Sequence, residues 1–280
     1  ILWTFREPET IRHQRSPRQA YGKGVAYAEV NGRGVIYITT PGFFLWALDA
    51  KTGIPLENWG SNFPVGEFPE TGVVDLVPLL VDDWGPWQDY VVAGGEYDPD
   101  YGIPRELGMV TASAPPIVVN GVVVVLVGHQ PSYGQTRIEN VPGDIMGFDA
   151  ATGERLWKFH AIPRPGEVGH ETWHNDAWRF SGDISTWAPA SADPELGLVY
   201  MVTNASTVQS YAGHRPGDNL FGGSLLALDV KTGERRWHFQ IHHSDQWNYD
   251  LPTPPMLIDL NVDGQAIPAV IQNTKQGLIF

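Results

Sequence analysis

One string in the sequence has the spacing of a zinc hydrolase site. Residues His170 to His174 read H-E-x-x-H, a pattern that binds zinc when both histidines lie one turn apart on a helix. The string follows P-R-P-G at positions 163–166, and the surrounding residues lack the apolar periodicity of a helix. This context predicts a loop and does not support zinc hydrolysis. Cysteine is absent from the chain, which excludes thiolate catalysis and zinc bound by cysteine.

Charge and hydrophobic content narrow the classes of function. The 280 residues include 18 Lys and Arg against 32 Asp and Glu, a net charge of −14, whereas nucleic-acid binding needs a basic surface. We therefore predict no nucleic-acid partner. Hydrophobic residues make up 42% of the chain and charged residues 18%, a balance that can bury a sizeable core. No apolar run approaches the ~18 residues of a membrane helix, so the sequence predicts no transmembrane segment in this chain.

Three segments repeat one pattern that ends in a turn. Residues 47–53, 147–153 and 227–233 each carry Asp in the third position and Thr-Gly in the last two. The Asp side chain can accept hydrogen bonds from the turn amides, and Gly tolerates the positive φ that the turn needs. An alternating strand precedes each turn, so each copy predicts a β-hairpin. The copies begin 100 and 80 residues apart, a length for two four-stranded units or for one unit with long loops.

Several of the 11 tryptophans are related to these turns. The second and third copies continue into strands that carry Trp157 and Trp237. Trp3 has the place of the tail of an earlier copy, and Trp59 that of a displaced one. We expect such rings to lie buried between neighbouring sheets. With 31 Gly, 23 Pro and no long amphipathic helix in the pattern, the chain is predicted to be all-β, a propeller of about four blades.

The repeat A-x-D-x-x-T-G-x-x-x-W resembles the tryptophan-docking motif of pyrroloquinoline quinone (PQQ) dehydrogenases, eight-bladed propellers that include methanol and membrane-bound glucose dehydrogenases. The resemblance covers residues 1–280 and is nearest to the glucose and quinate dehydrogenase branch. The segments outside the repeats that carry it are residues 3–7, 22–27, 113–119, 215–219 and 242–252. It implies one partial domain of four-stranded antiparallel blades, about half of an eight-bladed ring. Because the chain opens and stops inside apparent strands without an initiator Met, we expect an internal segment of a longer protein.

The resemblance also implies a PQQ site. PQQ is a flat ortho-quinone with three carboxylates, so its pocket needs an aromatic platform, cations and a metal ion that polarises a quinone carbonyl. Trp187, preceded by Thr186, matches the tryptophan that stacks under the cofactor. Lys275 matches the catalytic cation that stabilises charge on the quinone oxygen. Lys23 matches a partner for a cofactor carboxylate, and Ser113 a hydroxyl that contacts the cofactor. The alternatives are a docking tryptophan, solvated lysines and a strand-start serine.

A metal ion, Ca²⁺ or a lanthanide, is implied in the same way, but two matching positions depart from the methanol dehydrogenase pattern. Asn204 fits the family's Asn ligand, whereas Gln130 stands in place of a Glu. Asn248 stands where the family has an Asp that is both ligand and general base, and an amide brings no charge and accepts no proton. Asp250 matches an additional carboxylate of lanthanide-using relatives. In an extended segment it would point to the same side as Asn248, so it is our candidate for ligand and base, with Asp245 as a further candidate.

The resemblance implies a PQQ-dependent dehydrogenase that oxidises an alcohol, polyol or sugar by hydride transfer. Its electrons would pass to a quinone or a cytochrome, and its location would be the periplasm. The alternative is a non-catalytic propeller of the same kind that binds proteins or supports assembly. Trp187, Lys275 and Asn204 favour the enzyme, whereas Gln130 and Asn248 favour the alternative. A calcium-dependent propeller glycosidase is a third possibility, but it needs a carboxylate pair that the sequence does not identify.

Overall fold

The computed structural model describes residues 1–10, 13–14, 24–61, 71–82, 114–126 and 142–280. The named elements are fourteen β-strands, the six-residue helix α1 (Leu76–Val81) and two short 3₁₀ turns. The strands are β1 (Ala26–Val30), β2 (Arg33–Thr39), β3 (Phe44–Asp49), β4 (Val73–Asp75), β5 (Ile117–Val119), β6 (Val122–Val125), β7 (Ile145–Asp149), β8 (Arg155–Phe159), β9 (Ser191–Asp193), β10 (Leu198–Val202), β11 (Ser224–Asp229), β12 (Arg235–Gln240), β13 (Met256–Val262) and β14 (Gln265–Ile271). Among the described residues, no helix has the length and apolar character needed to span a membrane.

The strands form four antiparallel sheets whose strand order follows the chain. Three sheets have four strands each, β1 to β4, β5 to β8 and β9 to β12, and the described part of the fourth contains β13 and β14. Each sheet is a simple meander, in which a strand pairs with the strand before it. A meander of four strands is the blade of a β-propeller. The all-β prediction with four-stranded blades is therefore confirmed, with three complete blades and two strands of another.

Neighbouring blades are held together by apolar side chains from their facing surfaces. The interface between the first and second blades includes Tyr37, Val123 and Phe148, all fully buried. The interface between the second and third includes Val124 and Leu228. Because each blade covers the face of the next, the core is a series of such interfaces rather than one central cluster.

The predicted turns form as expected in all three repeats. In the second copy, the Asp149 carboxylate accepts hydrogen bonds from the backbone N–H groups of Ala151 and Thr152, both at 2.9 Å, and from the Thr152 hydroxyl at 3.1 Å. Gly153 then adopts a φ of +77°. The same contacts surround the Asp of the first and third copies.

One detail of the hairpin prediction is wrong for the first copy. The second and third turns join full strand pairs, β7 with β8 and β11 with β12. After the first turn, the chain makes an isolated bridge between Leu48 and Pro55 and does not continue as a strand; Gly60 and Ser61 then form isolated bridges with Val73 of β4. Strand β4 takes the fourth position in that blade. The intervening loop explains why Trp59 is displaced relative to the other copies.

Three tryptophans dock on the repeated turns of the blade that follows. In each case the indole N–H donates to the carbonyl of the residue after the turn Asp. The pairs are Trp3 with Ala50 at 3.1 Å, Trp59 with Ala150 at 3.0 Å and Trp157 with Val230 at 2.8 Å. The assignments of Trp3 as the tail of an earlier copy and of Trp59 as a displaced copy are therefore confirmed.

The glycine that ends each turn lies against the docked ring. A Cβ atom at Gly233 would lie 2.5 Å from the ring of Trp157, and one at Gly153 would lie 3.0 Å from the ring of Trp59. Gly153 and Gly233 also have φ values of +77° and +71°. Gly is therefore required at these positions both by the turn and by the aromatic ring that covers it.

Trp237 departs from the prediction that it is buried, since 36% of its surface is exposed. Its equivalent, Trp157, is covered by the turn of the third blade, whereas the sheet that follows Trp237 contributes only β13 and β14 among the described residues. Trp237 instead lines an apolar groove of about 770 Å³ together with Phe239 and Phe280. A docking tryptophan is buried by the next blade's turn, and none of the described turns covers this ring.

The docking contact predicts a specific effect of glycine substitution. Gly233→Ala should lower the free energy of unfolding by roughly 2–5 kcal/mol, because the methyl group adds a steric clash with Trp157 to the strain of a left-handed backbone. Gly264→Ala is the matched control: its φ is +82°, but no atom lies within 4 Å of its Cβ position. It should cost roughly 1–2 kcal/mol. Urea unfolding of both variants measures the difference, and equal losses would contradict the docking role of Gly233.

Candidate functional site

A network of buried polar side chains lies where the loop at residues 181–187 meets the end of β10. Asp183 is fully buried, and isolated bridges join its backbone to Pro142 and Ser206. One of its carboxylate oxygens accepts hydrogen bonds from the Ser185 hydroxyl at 2.5 Å and from the Ser185 N–H at 3.2 Å. The other accepts from the side-chain amide of Asn204 at 3.2 Å. The Ser185 hydroxyl also lies 3.3 Å from the Asn204 amide oxygen, so these three side chains form one cluster.

The loop after β12 is shaped by Asp245. Its two carboxylate oxygens accept hydrogen bonds from the N–H groups of Trp247, at 2.8 Å, and Tyr249, at 2.7 Å. The loop turns back on itself, with a φ of +57° at Asn248, so the expectation of an extended segment is wrong here. Both carboxylate oxygens of Asp245 thus hold the conformation of the loop that carries Asp250. The place of Asp245 as a further metal candidate stays a prediction.

A buried arginine from another loop, Arg215, holds the Asp245 loop in place. Arg215 is 1% exposed, and its guanidinium donates to the backbone carbonyl of Asp245 at 2.5 Å and to the side-chain oxygen of Asn219 at 2.7 Å. Burial lowers the pKa of Arg215 to about 10, with the nearby Asp245 acting in the opposite direction. The side chain therefore remains charged at neutral pH and ties two loops together.

Asp250 is the centre of a second polar cluster. In the orientation that satisfies both polar atoms of its amide, Asn248 donates to the two Asp250 carboxylate oxygens, at 2.8 Å and 2.9 Å. The ammonium group of Lys275 donates to the same carboxylate at 2.9 Å and to the Asn248 carbonyl at 2.9 Å. Lys275 also lies 5.8 Å from the ring centre of Trp187. Lys275 belongs to a tight turn after β14, closed by a hydrogen bond from the Gly277 N–H to the Thr274 carbonyl.

The two clusters are neighbours. The backbone N–H of Ala205, the residue after Asn204, donates to the Asp250 carboxylate, and Asp250 interacts electrostatically with Asp183. Burial raises the pKa of Asp183 to about 7, and the negative charge of Asp250 adds to this rise. Burial also raises the pKa of Asp250, while the hydrogen bond and charge of Lys275 lower it. Two buried carboxylates therefore share one region with a single lysine that contacts only one of them.

The structure brings together five of the residues singled out from the sequence, although they are separated by up to 88 positions. They are Trp187, Asn204, Asn248, Asp250 and Lys275. Thr186, beside Trp187, is fully buried, and its hydroxyl has no hydrogen-bond partner in the described part of the chain. Lys23, Ser113 and Gln130 lie outside the described residues. The roles of all these side chains remain predictions.

Sequence reasoning missed Asp183, Ser185 and Arg215. The D-x-S spacing of Asp183 and Ser185 is typical of a side chain that accepts from the backbone two residues on, and here it does so. That signal indicates a local turn and says nothing about proximity to Asp250. Arg215 belongs to one of the segments that carry the family resemblance, residues 215–219, but the sequence assigns it no individual role. Nothing in the local sequence shows that either charged group is buried.

The H-E-x-x-H string has the loop conformation that its context predicts. His170 begins a 3₁₀ turn that ends at Thr172, and Trp173 leaves helical geometry with φ −108° and ψ 84°. The His174 N–H bonds to the Pro216 carbonyl instead of continuing a helix. The two histidines are therefore not placed one helical turn apart.

The residues present fit a PQQ molecule and a hard metal ion. Trp187 is half-buried and lies next to an ammonium group, while the Thr186 hydroxyl is buried without a partner among the described residues. Two buried carboxylates and the side chain of Asn204 provide oxygen donors, the kind that calcium and lanthanides prefer. Within the described residues no group of three or more His, Asp or Glu side chains could hold a metal ion. A metal here would therefore also need amide oxygens.

The Asp245 turn predicts a local effect on the loop that carries Asp250. Asp245→Ala removes the acceptors of two backbone N–H groups, and hydrogen bonds to a charged group contribute roughly 1.5–3 kcal/mol. Hydrogen–deuterium exchange of residues 245–250 should accelerate by roughly tenfold or more. Asp259→Ala, on the exposed strand β13, is the control and should leave this exchange unchanged. Equal exchange in the two variants would contradict the loop-shaping role.

Comparison with known proteins places the chain among quinoprotein dehydrogenases. Residues 1–280 match the family described as "PQQ: Glucose/ethanol/alcohol dehydrogenase, beta-propeller domain". Glycerol dehydrogenase large subunit from Gluconobacter oxydans (strain 621H) is 41% identical over 175 residues, which cover 62% of this chain and 23% of that protein. Quinoprotein glucose dehydrogenase from Escherichia coli (strain K12) is 35% identical over 175 residues, 62% of this chain and 21% of that protein. The matches thus span less than a quarter of either relative.

A solved structure supports the same relationship. Quinohemoprotein alcohol dehydrogenase ADHIIG from Pseudomonas putida HK5 superimposes with a TM-score of 0.72 at 26% sequence identity. The match covers 100% of this chain and 35% of that chain. The propeller architecture is thereby confirmed, and the described blades correspond to a portion of a larger ring.

Proposed function

The chain belongs to the PQQ family of glucose, ethanol and alcohol dehydrogenase β-propeller domains, and we propose that it forms the cofactor site of a PQQ-dependent dehydrogenase that oxidises an alcohol, polyol or sugar. The observation that carries the proposal is the contact of Lys275 with both Trp187 and Asp250. A planar platform, a cation and a carboxylate meet at one place, and they come from three different loops. That combination suits a flat anionic quinone beside a substrate hydroxyl.

Trp187, Thr186 and Lys275 would hold the cofactor. The half-buried ring of Trp187 provides a stacking surface, and the buried Thr186 hydroxyl provides a hydrogen-bonding group close to it. When bound, PQQ supplies an ortho-quinone that accepts a hydride from the substrate. Lys275, whose ammonium group lies 5.8 Å from the centre of the Trp187 ring, would stabilise negative charge that develops on a cofactor held there. Lys23 and Ser113 are proposed as further contacts on the basis of the resemblance.

Asn204 and Asp250 would hold a metal ion, Ca²⁺ or a lanthanide, with Gln130 as a proposed third ligand. Asp250 is also the proposed acceptor of the substrate hydroxyl proton, because the amide of Asn248 has no basic atom. The hydrogen bonds that Asn248 and Lys275 donate stabilise the ionised form of Asp250, which is the form that accepts a proton. The role of Asn248 in the catalytic site would be to orient Asp250 through the hydrogen bonds of its amide group.

The partners and location follow from the family and are also proposals. Relatives named "Quinohemoprotein alcohol dehydrogenase" and "Alcohol dehydrogenase (quinone), dehydrogenase subunit" support a cytochrome or quinone as electron acceptor. We propose the periplasm as the location, as the resemblance implies.

Cofactor binding tests the proposal directly. The full-length protein that contains this chain, incubated with PQQ and Ca²⁺ or La³⁺, should retain PQQ through gel filtration and reduce a dye with substrates from an alcohol and sugar panel. Trp187→Ala and Lys275→Ala should each weaken PQQ retention by about tenfold or more, since each removes a contact of roughly 1–3 kcal/mol. Lys231→Ala, in an exposed turn, is the control. Failure of the unmodified protein to retain PQQ with any metal would favour the non-catalytic propeller.

The assignment of the base is tested by two exchanges between Asn and Asp. Asp250→Asn should reduce dye-linked turnover by roughly 10²–10⁴-fold, the contribution of general-base assistance. Asn248→Asp should change turnover by less than about tenfold, because Asp250 already accepts the proton. An increase of tenfold or more in the Asn248→Asp protein would show that Asp250 does not serve as the base.

A further inference from the structure

We propose that Asp183 is an anionic ligand of the metal ion, beside Asn204 and Asp250, an inference that rests on the proposed function. The sequence gives this residue no role, and neither the repeats nor the segments that carry the family resemblance include it. The structure places its carboxylate in direct contact with the side chain of Asn204. It therefore stands next to the residue through which the metal would be bound.

The carboxylate of Asp183 is held by several hydrogen-bond donors and by no counter-ion among the described residues. The two bridges at its backbone fix the loop, and Ser185 holds one carboxylate oxygen at 2.5 Å. The other oxygen receives amide N–H groups from Asn204 at 3.2 Å and from Gln209 at 3.4 Å. All of these donors are uncharged. In the described part of the chain, no Lys, Arg or His forms an ion pair with Asp183.

A second buried carboxylate, that of Asp250, lies in the same region as Asp183. Asp250 is 7% exposed, and its carboxylate accepts the N–H of Ala205, the residue after the Asn204 that contacts Asp183. Burying one charged carboxylate without a counter-ion is costly, and burying two in one region is more so. Lys275 contacts Asp250 but not Asp183. A divalent or trivalent cation beside Asn204 would balance both charges, and calcium takes six to eight oxygen ligands.

An imidazole nitrogen without a hydrogen-bond partner lies in the same region. His242 is 8% exposed, and its Nε2 atom has no hydrogen-bond partner among the described residues. It lies within electrostatic range of Asp245 and Asp250. A buried polar atom without a partner beside two carboxylates indicates that the region accommodates a further polar group, such as a metal ion with its bound water.

Asp183 also accounts for the charge that Asn248 does not bring. With an amide at position 248, Asp250 is the main carboxylate among the predicted ligands, with Asp245 as a further candidate, because Asn204 and Gln130 are also amides. Affinity for calcium depends strongly on the number of charged ligands. Asp183 restores a second carboxylate from a different loop. The carboxylate would then come from position 183 instead of position 248, so matching position 248 alone to the family pattern does not reveal it.

The competing explanation is that Asp183 only orients Asn204 through their hydrogen bond. Asp183→Asn distinguishes the two roles, because the Asn oxygen can still accept from Asn204 and its amide group can donate to the Ser185 hydroxyl, whereas the side chain carries no charge. If the carboxylate is a ligand, the substitution removes metal affinity. If it only orients Asn204, metal affinity is retained. Asp263→Asn, at the exposed β13–β14 turn, is the matched control for the loss of one carboxylate.

The test measures metal binding itself. The full-length protein and both variants are titrated with Tb³⁺, using tryptophan-sensitised luminescence, and melted with and without Ca²⁺ or La³⁺, in the presence of PQQ. Asp183→Asn should weaken Tb³⁺ binding by about tenfold or more and lose most of the metal-induced rise in Tm. Its Tm without metal should equal or exceed that of the unmodified protein, because a buried charge has been removed. Metal binding by Asp183→Asn equal to that of the control would overturn the inference.

The same samples separate this inference from the proposed function. PQQ retention is measured by absorbance after gel filtration. Metal-dependent PQQ retention by the unmodified protein, with unchanged metal affinity in Asp183→Asn, would overturn the role of Asp183 and leave the function intact. Metal binding that depends on Asp183 without any PQQ retention would support the ligand role and overturn the dehydrogenase. Absence of metal binding in the unmodified protein would overturn the ligand role.

Discussion

The docking of a tryptophan on the turn of the next blade is the contact on which this structure depends. Each docked indole forms one hydrogen bond to the backbone and lies flat against a glycine. Such a contact has a fixed direction, whereas the apolar surfaces between blades could slide past one another. The repeated Asp and Thr-Gly positions matter because they present the carbonyl and the bare backbone that the ring needs. Blade interfaces thereby acquire a defined register.

A fixed register between blades is what allows loops that are distant in sequence to build one site. Trp187, Asn204, Asp250 and Lys275 each follow or precede a strand rather than belonging to one. The loops themselves are held by buried polar contacts, such as those of Asp245 with its own backbone and of Arg215 across two loops. The rigid sheets set the distances, and the loop residues supply the chemistry. This division explains why so many polar side chains are buried at one place.

The electrostatic character of this place is set by two buried carboxylates and one lysine. Asp183 and Asp250 are both buried, and Lys275 is an incomplete counter-ion because it contacts one of them. A protein that used these carboxylates only for stability would gain little, because buried charges without partners oppose folding. Under our proposal, a bound ion would contribute the missing positive charge. The amide at position 248 would then change the distribution of charge around the ion rather than remove the site.

The sequence by itself determined the features that depend on neighbouring residues. The Asp and Thr-Gly turns were predictable because their hydrogen bonds join residues two or three positions apart. The repeated pattern also predicted blades, and the resemblance of individual segments selected Trp187 and Lys275 for one site. The loop conformation of the H-E-x-x-H string followed from its local context.

Only the tertiary structure decided which side chains meet and which are covered. Trp157 and Trp237 have equivalent local sequences, yet one is buried and the other is partly exposed, because burial depends on the blade beside it. Asp245 and Asp250 are both aspartates of one loop, but the turn directs the first to its own backbone and the second towards Lys275. Asp183 carries no signal of proximity to Asp250, because that proximity arises from the packing of loops 67 residues apart. Local hydrogen bonds are specified by adjacent residues, whereas burial and long-range electrostatics are properties of the assembled fold.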